Sequence, residues 1–202
     1  MRFILASASP ARLSTLRNAG VVPEVIVSGV DEGEISVANT IDLVQALAIA
    51  KAAAVVIEQS GDALVLGCDS MLEFRGESMG KPETPDEAIQ RWKLIRGRSG
   101  FLHTGHTLIL LKDSTVTESI TRVASTEVRF GYPSDDEIAR YVGTGEPLKV
   151  AGAFTIDGLG GWFVERIVGD HHNVVGLSLP LLRGMLAELN LSLADLPGTT
   201  WN

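Results

Sequence analysis

Three features of the 202-residue chain predict a mixed α/β fold, a twisted sheet flanked by helices around a central cleft. The continuous apolar runs at 2–6 and 63–67 read as buried strands, because their length and lack of alternation suit a sheet covered on both faces. Helical patterns follow the early strands, and the alternating runs at 104–111 and 116–130 read as long antiparallel strands. With 45% hydrophobic and 21% charged residues, a chain of this size buries about 70% of its unfolded surface. Without a Pro/Ser-rich linker, low-complexity tract or repeat, one domain over 1–202 is expected, with room for two lobes around the cleft.

The elements follow in order. The first strand, 2–6, runs into Ser7-Ala8-Ser9-Pro10-Ala11-Arg12, where Ser9 is a good N-cap and Pro10 a good first residue for a helix over 10–19. A strand at 24–28 and a helix at 39–58 come next. The strand at 63–69 delivers Asp69 and Ser70, and a strand at 71–75 opens a hairpin whose turn-rich stretch, Gly76-Glu77-Ser78-Met79-Gly80, brings Lys81 back toward Asp69. A helix at 85–96 precedes the two long strands, which turn near Lys112-Asp113-Ser114. Ser134 and Glu137 form a capping box for a helix through Ile138, Tyr141 and Val142. The last quarter combines a glycine-rich segment at 158–161, a strand at 162–167 and a helix at 179–189. Strand order does not follow from the sequence.

Two of these junctions point to phosphate chemistry, since ligands of α/β sheets gather beyond the carboxyl ends of strands. A helix starting at Pro10 offers free N–H groups and a positive dipole end, Arg12 adds a guanidinium that forks onto a phosphate, and Ser7 and Ser9 add hydroxyl donors. Ser9 and Pro10 alone also read as an ordinary helix cap. Asp69, delivered at the edge of the core, needs a cation, a hydrogen bond or a function. It suits a divalent metal or an activated water, and equally a turn salt bridge with Lys81.

Other features read as structural. His171 and His172 are adjacent and cannot both face one metal from one helix, so they are expected in a loop. The glycines at 158–161 lack the strand-to-helix setting of a dinucleotide fingerprint. Trp162 and Phe163 are expected in the core, Asp170 and Asn173 in an ordered turn, and the one cysteine, Cys68, as a small buried residue without a disulfide.

The formal charge of −8 argues against a broad nucleic-acid or anionic-membrane surface, while Arg12, Lys51 and Lys81 can still form a local positive patch. Ser7 to Arg12 interrupts the N-terminal apolar stretch, so no signal-peptide pattern is present, and no apolar run approaches the roughly 18 residues of a membrane span. A cytoplasmic location is expected.

Ser7-x-Ser9-Pro10-x-Arg12, Val30-Asp31-Glu32, Ala48-x-Ala50-Lys51, Gly67-x-Asp69, Gly80-Lys81-Pro82, Glu146-Pro147 with Ala151-Gly152-Ala153-Phe154, and Gly169-Asp170 with Asn173-Val174-Val175-Gly176-Leu177 occur in one order over almost the whole chain. Together they resemble the Maf family of nucleotide pyrophosphatases. The resemblance implies an inosine triphosphatase-like fold and hydrolysis of a nucleoside triphosphate between its α and β phosphates, giving monophosphate and pyrophosphate with the help of Mg²⁺ or Mn²⁺. Non-canonical nucleotides are among the implied substrates. The resemblance assigns Asp69 as catalytic acid or base, and Ser9, Arg12, Glu32, Lys51 and Lys81 to the phosphate and metal site, to which Ser7 is added here. Glu32 and Asp69 are the acids expected at the metal, with the metal and base roles of Asp69 left open.

At the three positions where known branches differ, this chain has Ala11, Ser70 and Asp157. The thymidine and uridine triphosphate branch resembles Arg, Thr and Gln there, and the 7-methyl-GTP branch Trp, Gln and Glu. Asp157 offers only acceptors when ionised, which leans away from a strict uracil or thymine pocket. The family also implies a second reading, a nucleotide-sensing regulator of septum formation without essential turnover. A phosphatase or nucleotidyltransferase is a third, and a homodimer is left open.

Overall fold

The computed structural model describes residues 1–35 and 37–199. Seven strands form one mixed sheet in the order β2-β1-β3-β5-β6-β7, with β4 also paired to β3. They are β1 (Arg2–Ala6), β2 (Glu24–Val25), β3 (Ala63–Phe74), β4 (Glu77–Met79), β5 (Ser99–Lys112), β6 (Thr115–Phe130) and β7 (Val164–Val168). The helices are α1 (Pro10–Asn18), α2 (Thr40–Val56), α3 (Pro85–Ile95), α4 (Asp135–Gly143), α5 (His171–Val175) and α6 (Leu179–Glu188). β1 pairs in parallel with β2 and β3, and the remaining ladders are antiparallel. A mixed sheet flanked by helices is thus the architecture the sequence led us to expect.

Alternation along β3 explains how the sheet is covered. Leu64, Leu66 and Cys68 point into a core shared with Leu16 of α1 and Leu182, Met185 and Leu186 of α6. Further along the same face, Leu72 and Phe74 join Trp92 and Ile95 of α3 and Ile138 and Tyr141 of α4. Ala63 and Val65 point to the other face, against Ala52 and Val55 of α2. Between the two cores of the first face runs a polar belt containing Ser70, Thr104, His106 and Thr126, on which the buried Asn173 of α5 rests.

α2 lies unusually close to the sheet. A Cβ at Gly67 would strike the Ala48 carbonyl oxygen, and one at Gly105 the Val44 carbonyl oxygen. Both are glycines because backbone, rather than a movable side chain, occupies that space. This proximity is what brings Lys51 of α2 down to the sheet.

Several boundaries differ from expectation for identifiable reasons. The proposed strands 63–69 and 71–75 are one strand, because β3 pairs with β5 without interruption from Ala63 to Glu73. Asp69 therefore sits within a strand rather than at its end. β2 spans two residues, and β5 begins at Ser99. The expected capping box of Ser134 and Glu137 forms at α4. His171 and His172 open a short helix rather than a loop, since the Asp170 carboxylate accepts from the His172 N–H and caps it. Trp162 belongs to a 3₁₀ turn, Leu159–Phe163, and is 87% exposed, whereas Phe163 packs against the core. The core expectation thus holds for Phe163 alone.

The ladders also create a notch. On the side of β3 away from β5, β1 stops opposite Gly67 and β4 ends opposite Leu72. Residues 68–71 have no strand partner on that side. The notch is bounded by Ser7 onward, leaving β1, and by Gly80 and Lys81, leaving β4.

Candidate active site

Asp69 and Ser70 lie in the notch but on opposite faces of the sheet, and each face adds its own partners. On the α2 face, the Lys51 Nζ donates to Asp69 Oδ1 at 2.5 Å and to Glu32 Oε1 at 2.7 Å. Lys51 and Asp69 are buried, while Glu32 opens the exposed 3₁₀ turn Glu32–Glu34. One ammonium thus joins an interior carboxylate to a solvent-facing one. The second oxygen of Asp69, Oδ2, is buried without a hydrogen-bond partner among the described residues.

Burial raises the Asp69 pKa above the usual carboxylate value, and the charges of Lys51 and Arg12 only partly oppose it. Burial acts on Glu32 in the same direction. There, however, the Lys51 hydrogen bond and charge, aided by Lys81 and Arg12, prevail and the pKa falls. The two acids are therefore tuned apart: Glu32 as a persistent anion and Asp69 as the better proton acceptor.

On the other face, Arg12 is buried and held by three hydrogen bonds. Its Nε donates to the Gly176 carbonyl at 2.8 Å, Nη1 to Ser7 Oγ at 3.1 Å and Nη2 to Ser70 Oγ at 3.0 Å. Ser7 Oγ also accepts from the Ser9 N–H, and Ser9 caps α1 by accepting from the Arg12 N–H. A guanidinium has five N–H donors, so these three bonds leave two of them without a partner among the described residues. Its charge reaches the Asp69, Glu32 and His106 sites.

Lys81 is exposed, and its charge acts on Glu32. The expected Asp69–Lys81 pairing is not what forms: among the described residues the ion pair of Asp69 is with Lys51. The hairpin does return Lys81 to the notch, but Lys51 arrives first because α2 sits on Gly67 and Gly105.

The three positions at which the sequence departs from the known branches, Ala11, Ser70 and Asp157, separate. Ala11 and Asp157 line one cavity of about 240 Å³ with Ser14, Asn18, His171 and His172. Ser70 does not line it and instead bonds Arg12 and Thr104.

Reading of the sequence missed His106. Its Nε2 accepts from the Ser178 N–H at 2.9 Å, so its Nδ1 carries the hydrogen and donates to the Thr104 carbonyl at 3.0 Å. Burial, then Arg12, lowers its pKa to about 4. The available signal was the run His103-Thr104-Gly105-His106-Thr107 inside an otherwise apolar strand.

The donors present fit a hard divalent cation. Asp69 Oδ2 is an unpartnered buried oxygen and Glu32 a nearby carboxylate, whereas no group of three or more His, Cys, Asp or Glu side chains suited to a metal occurs among the described residues. Mg²⁺ and Mn²⁺ accept such sparse sets because phosphate and water oxygens complete their shells. Among the described residues, no helix is long and apolar enough to cross a membrane.

The profile of the family described as Maf-like protein matches residues 2–189. A protein of Salinispora tropica named nucleoside triphosphate pyrophosphatase is 56% identical, the alignment covering 97% of this chain and 87% of that one. A protein of the same name from Streptomyces coelicolor is 52% identical, with 96% and 94% covered. The solved structure of the Staphylococcus aureus Ham1 protein is similar at a TM-score of 0.38 and 13% identity, covering 65% of this chain and 72% of that one.

Proposed function

We propose, from the premise that the chain belongs to the Maf-like protein family, that it is a divalent-metal-dependent nucleoside triphosphate pyrophosphatase, splitting the α–β anhydride to monophosphate and pyrophosphate. The observation that carries this reading is the buried Asp69, oriented through Oδ1 by Lys51 and left with Oδ2 free and a raised pKa. A merely structural ion pair gains nothing from an unpartnered buried oxygen, whereas a base must have one.

In this reading the water oxygen bonds to the α phosphorus, the bridging P–O bond breaks, pyrophosphate leaves, and the water proton passes to Asp69 Oδ2. Lys51 keeps the carboxylate turned toward the notch and takes up phosphate charge as Asp69 is neutralised. Arg12 and Lys81 supply positive charge from the two walls, and Ser7 and Ser9 add hydroxyl groups near the start of α1. Glu32, together with phosphate and water oxygens, would hold Mg²⁺ or Mn²⁺, which when bound would neutralise developing charge on phosphate oxygens, while Asp69 Oδ2 takes the proton. The base would occupy the cavity of Ala11 and Asp157, where few fixed donors favour broad acceptance, including non-canonical bases.

The test is a panel of standard and modified triphosphates with Mg²⁺ or Mn²⁺. Pyrophosphate and monophosphate are expected, with activity abolished by chelator. Release of inorganic phosphate would identify a phosphatase. Tight binding without turnover would favour the nucleotide-sensing alternative.

A further inference from the structure

We propose that Glu146 is a positioning residue for base selectivity, a clasp that fixes the loop carrying Asp157 over the 240 Å³ cavity; this rests on the reading above that the cavity receives the base. The Glu146 carboxylate accepts four hydrogen bonds. Oε1 takes Tyr141 Oη at 3.0 Å, Thr155 Oγ1 at 2.6 Å and the Gly160 N–H at 3.1 Å, and Oε2 takes the Leu159 N–H at 3.1 Å. That fills the roughly four acceptor sites of an ionised carboxylate.

Three of the donors flank Asp157, Thr155 two residues before it and Leu159 and Gly160 just after. Asp157 itself is exposed and its side chain makes no hydrogen bond among the described residues, so its position derives from these anchors. The fourth donor ties the clasp to the core, since the Tyr141 ring packs edge-on against Trp92 and tilted against Phe163. Space is tight as well: a Cβ at Gly158 would lie 2.8 Å from Glu146 Oε2, and one at Gly160 2.7 Å from the Thr155 backbone. The loop thus closes onto the carboxylate, and at Gly160, where backbone fills the space, a side chain has no room.

Glutamine cannot replace this group. Its amide N–H₂ would face donors, so either the Leu159 N–H loses its acceptor or the Gly160 N–H keeps only its longer bond to Thr155 Oγ1 at 3.3 Å. Glu146→Gln should therefore free the Asp157 loop without reaching the reacting phosphates. The test compares wild type, Glu146→Gln, Asp157→Ala and the double variant. It reads the kcat/KM ratio between the two triphosphates the wild type separates best, together with backbone hydrogen exchange over 157–160. Glu146→Gln is expected to shift the ratio by about threefold or more, the scale of coupling between neighbouring residues, and to shift nothing further once Asp157 is alanine. Exchange at 157–160 should quicken.

An unchanged ratio with unchanged exchange in folded Glu146→Gln overturns the proposal, as does an equal ratio shift in the Asp157→Ala background. Should Glu146→Gln not fold, Thr155→Val removes one donor of the clasp from within the loop, and undisturbed exchange at 157–160 there overturns it too. A wild type that releases no pyrophosphate refutes the activity reading instead, while the exchange data still decide the clasp.

Discussion

Two buried polar sites lie within a few residues of one another on the central strands, one on each face of the sheet. On the α2 face, Asp69 has a single bonded oxygen, a second oxygen without a partner, and a pKa that burial has raised. On the opposite face, His106 uses both ring nitrogens, Ser70 bonds Arg12 and Thr104, and Thr126 ties Asn173 and Asp170 to the sheet, with Asn173 Oδ1 and Asp170 Oδ2 left without partners among the described residues. Both sites interrupt apolar strands, so polarity alone does not distinguish them. What does is that the unpartnered Asp69 Oδ2 borders the notch. A satisfied buried group specifies packing, and an under-satisfied one beside a notch is available for chemistry.

The contrast predicts opposite mutational signatures. Asp69→Asn should lower turnover by about 10²-fold or more, the contribution of a positioned base. Because its pKa is raised, ionised Asp69 stabilises the fold less at neutral pH than the protonated form does at low pH. Stability from this group is lost as pH rises through its folded pKa, so thermal melting of Asp69→Asn at pH 7 should match or exceed that of wild type. A large drop in melting temperature would place Asp69 with the structural group.

His106→Ala should do the reverse. It strands the Ser178 N–H and the Thr104 carbonyl in the interior, at a cost of about 3 kcal/mol in denaturant unfolding, with turnover of the folded fraction largely kept. The pH dependence sharpens this. His106 has a folded pKa of about 4 against 6.5 in the unfolded chain, so between those values the unfolded chain binds the proton and the folded one does not. Stability should fall as pH drops through 6.5, by about 3 kcal/mol in all once below 4, and that limb should flatten in His106→Gln.

The smallest expected effect concerns the notch's rim. Lys81→Ala should raise KM roughly tenfold, as loss of one exposed phosphate contact would, while Lys51→Ala should also lower kcat because it removes the group that orients Asp69. Equal effects of the two would erase the distinction between interior and rim.

Much of this was legible in the sequence. Apolar runs and capping residues gave β1, α1, α3 and α6 nearly to the residue and the start of α4, because those signals are local. Asp69, Lys51, Glu32, Arg12 and Ser7 were named from motifs, and the structure brings them to one notch on two faces. What could not be read depends on long-range pairing. That Asp69 lies inside a strand follows from the β5 ladder, that Lys51 rather than Lys81 meets it follows from α2 resting on Gly67 and Gly105, and that His106 is satisfied requires Ser178, 72 residues away. Trp162 misled because aromatic character was read as burial, whereas the Leu159–Phe163 turn directs it outward.

The most direct test is hydrolysis of a triphosphate in ¹⁸O-labelled water with Mg²⁺, followed by ³¹P detection, for wild type and Asp69→Asn. Label is expected in the monophosphate alone, with unlabelled pyrophosphate and loss of both products in the folded variant. Inorganic phosphate as the first product, or an Asp69→Asn rate near that of wild type, would contradict the proposed reaction.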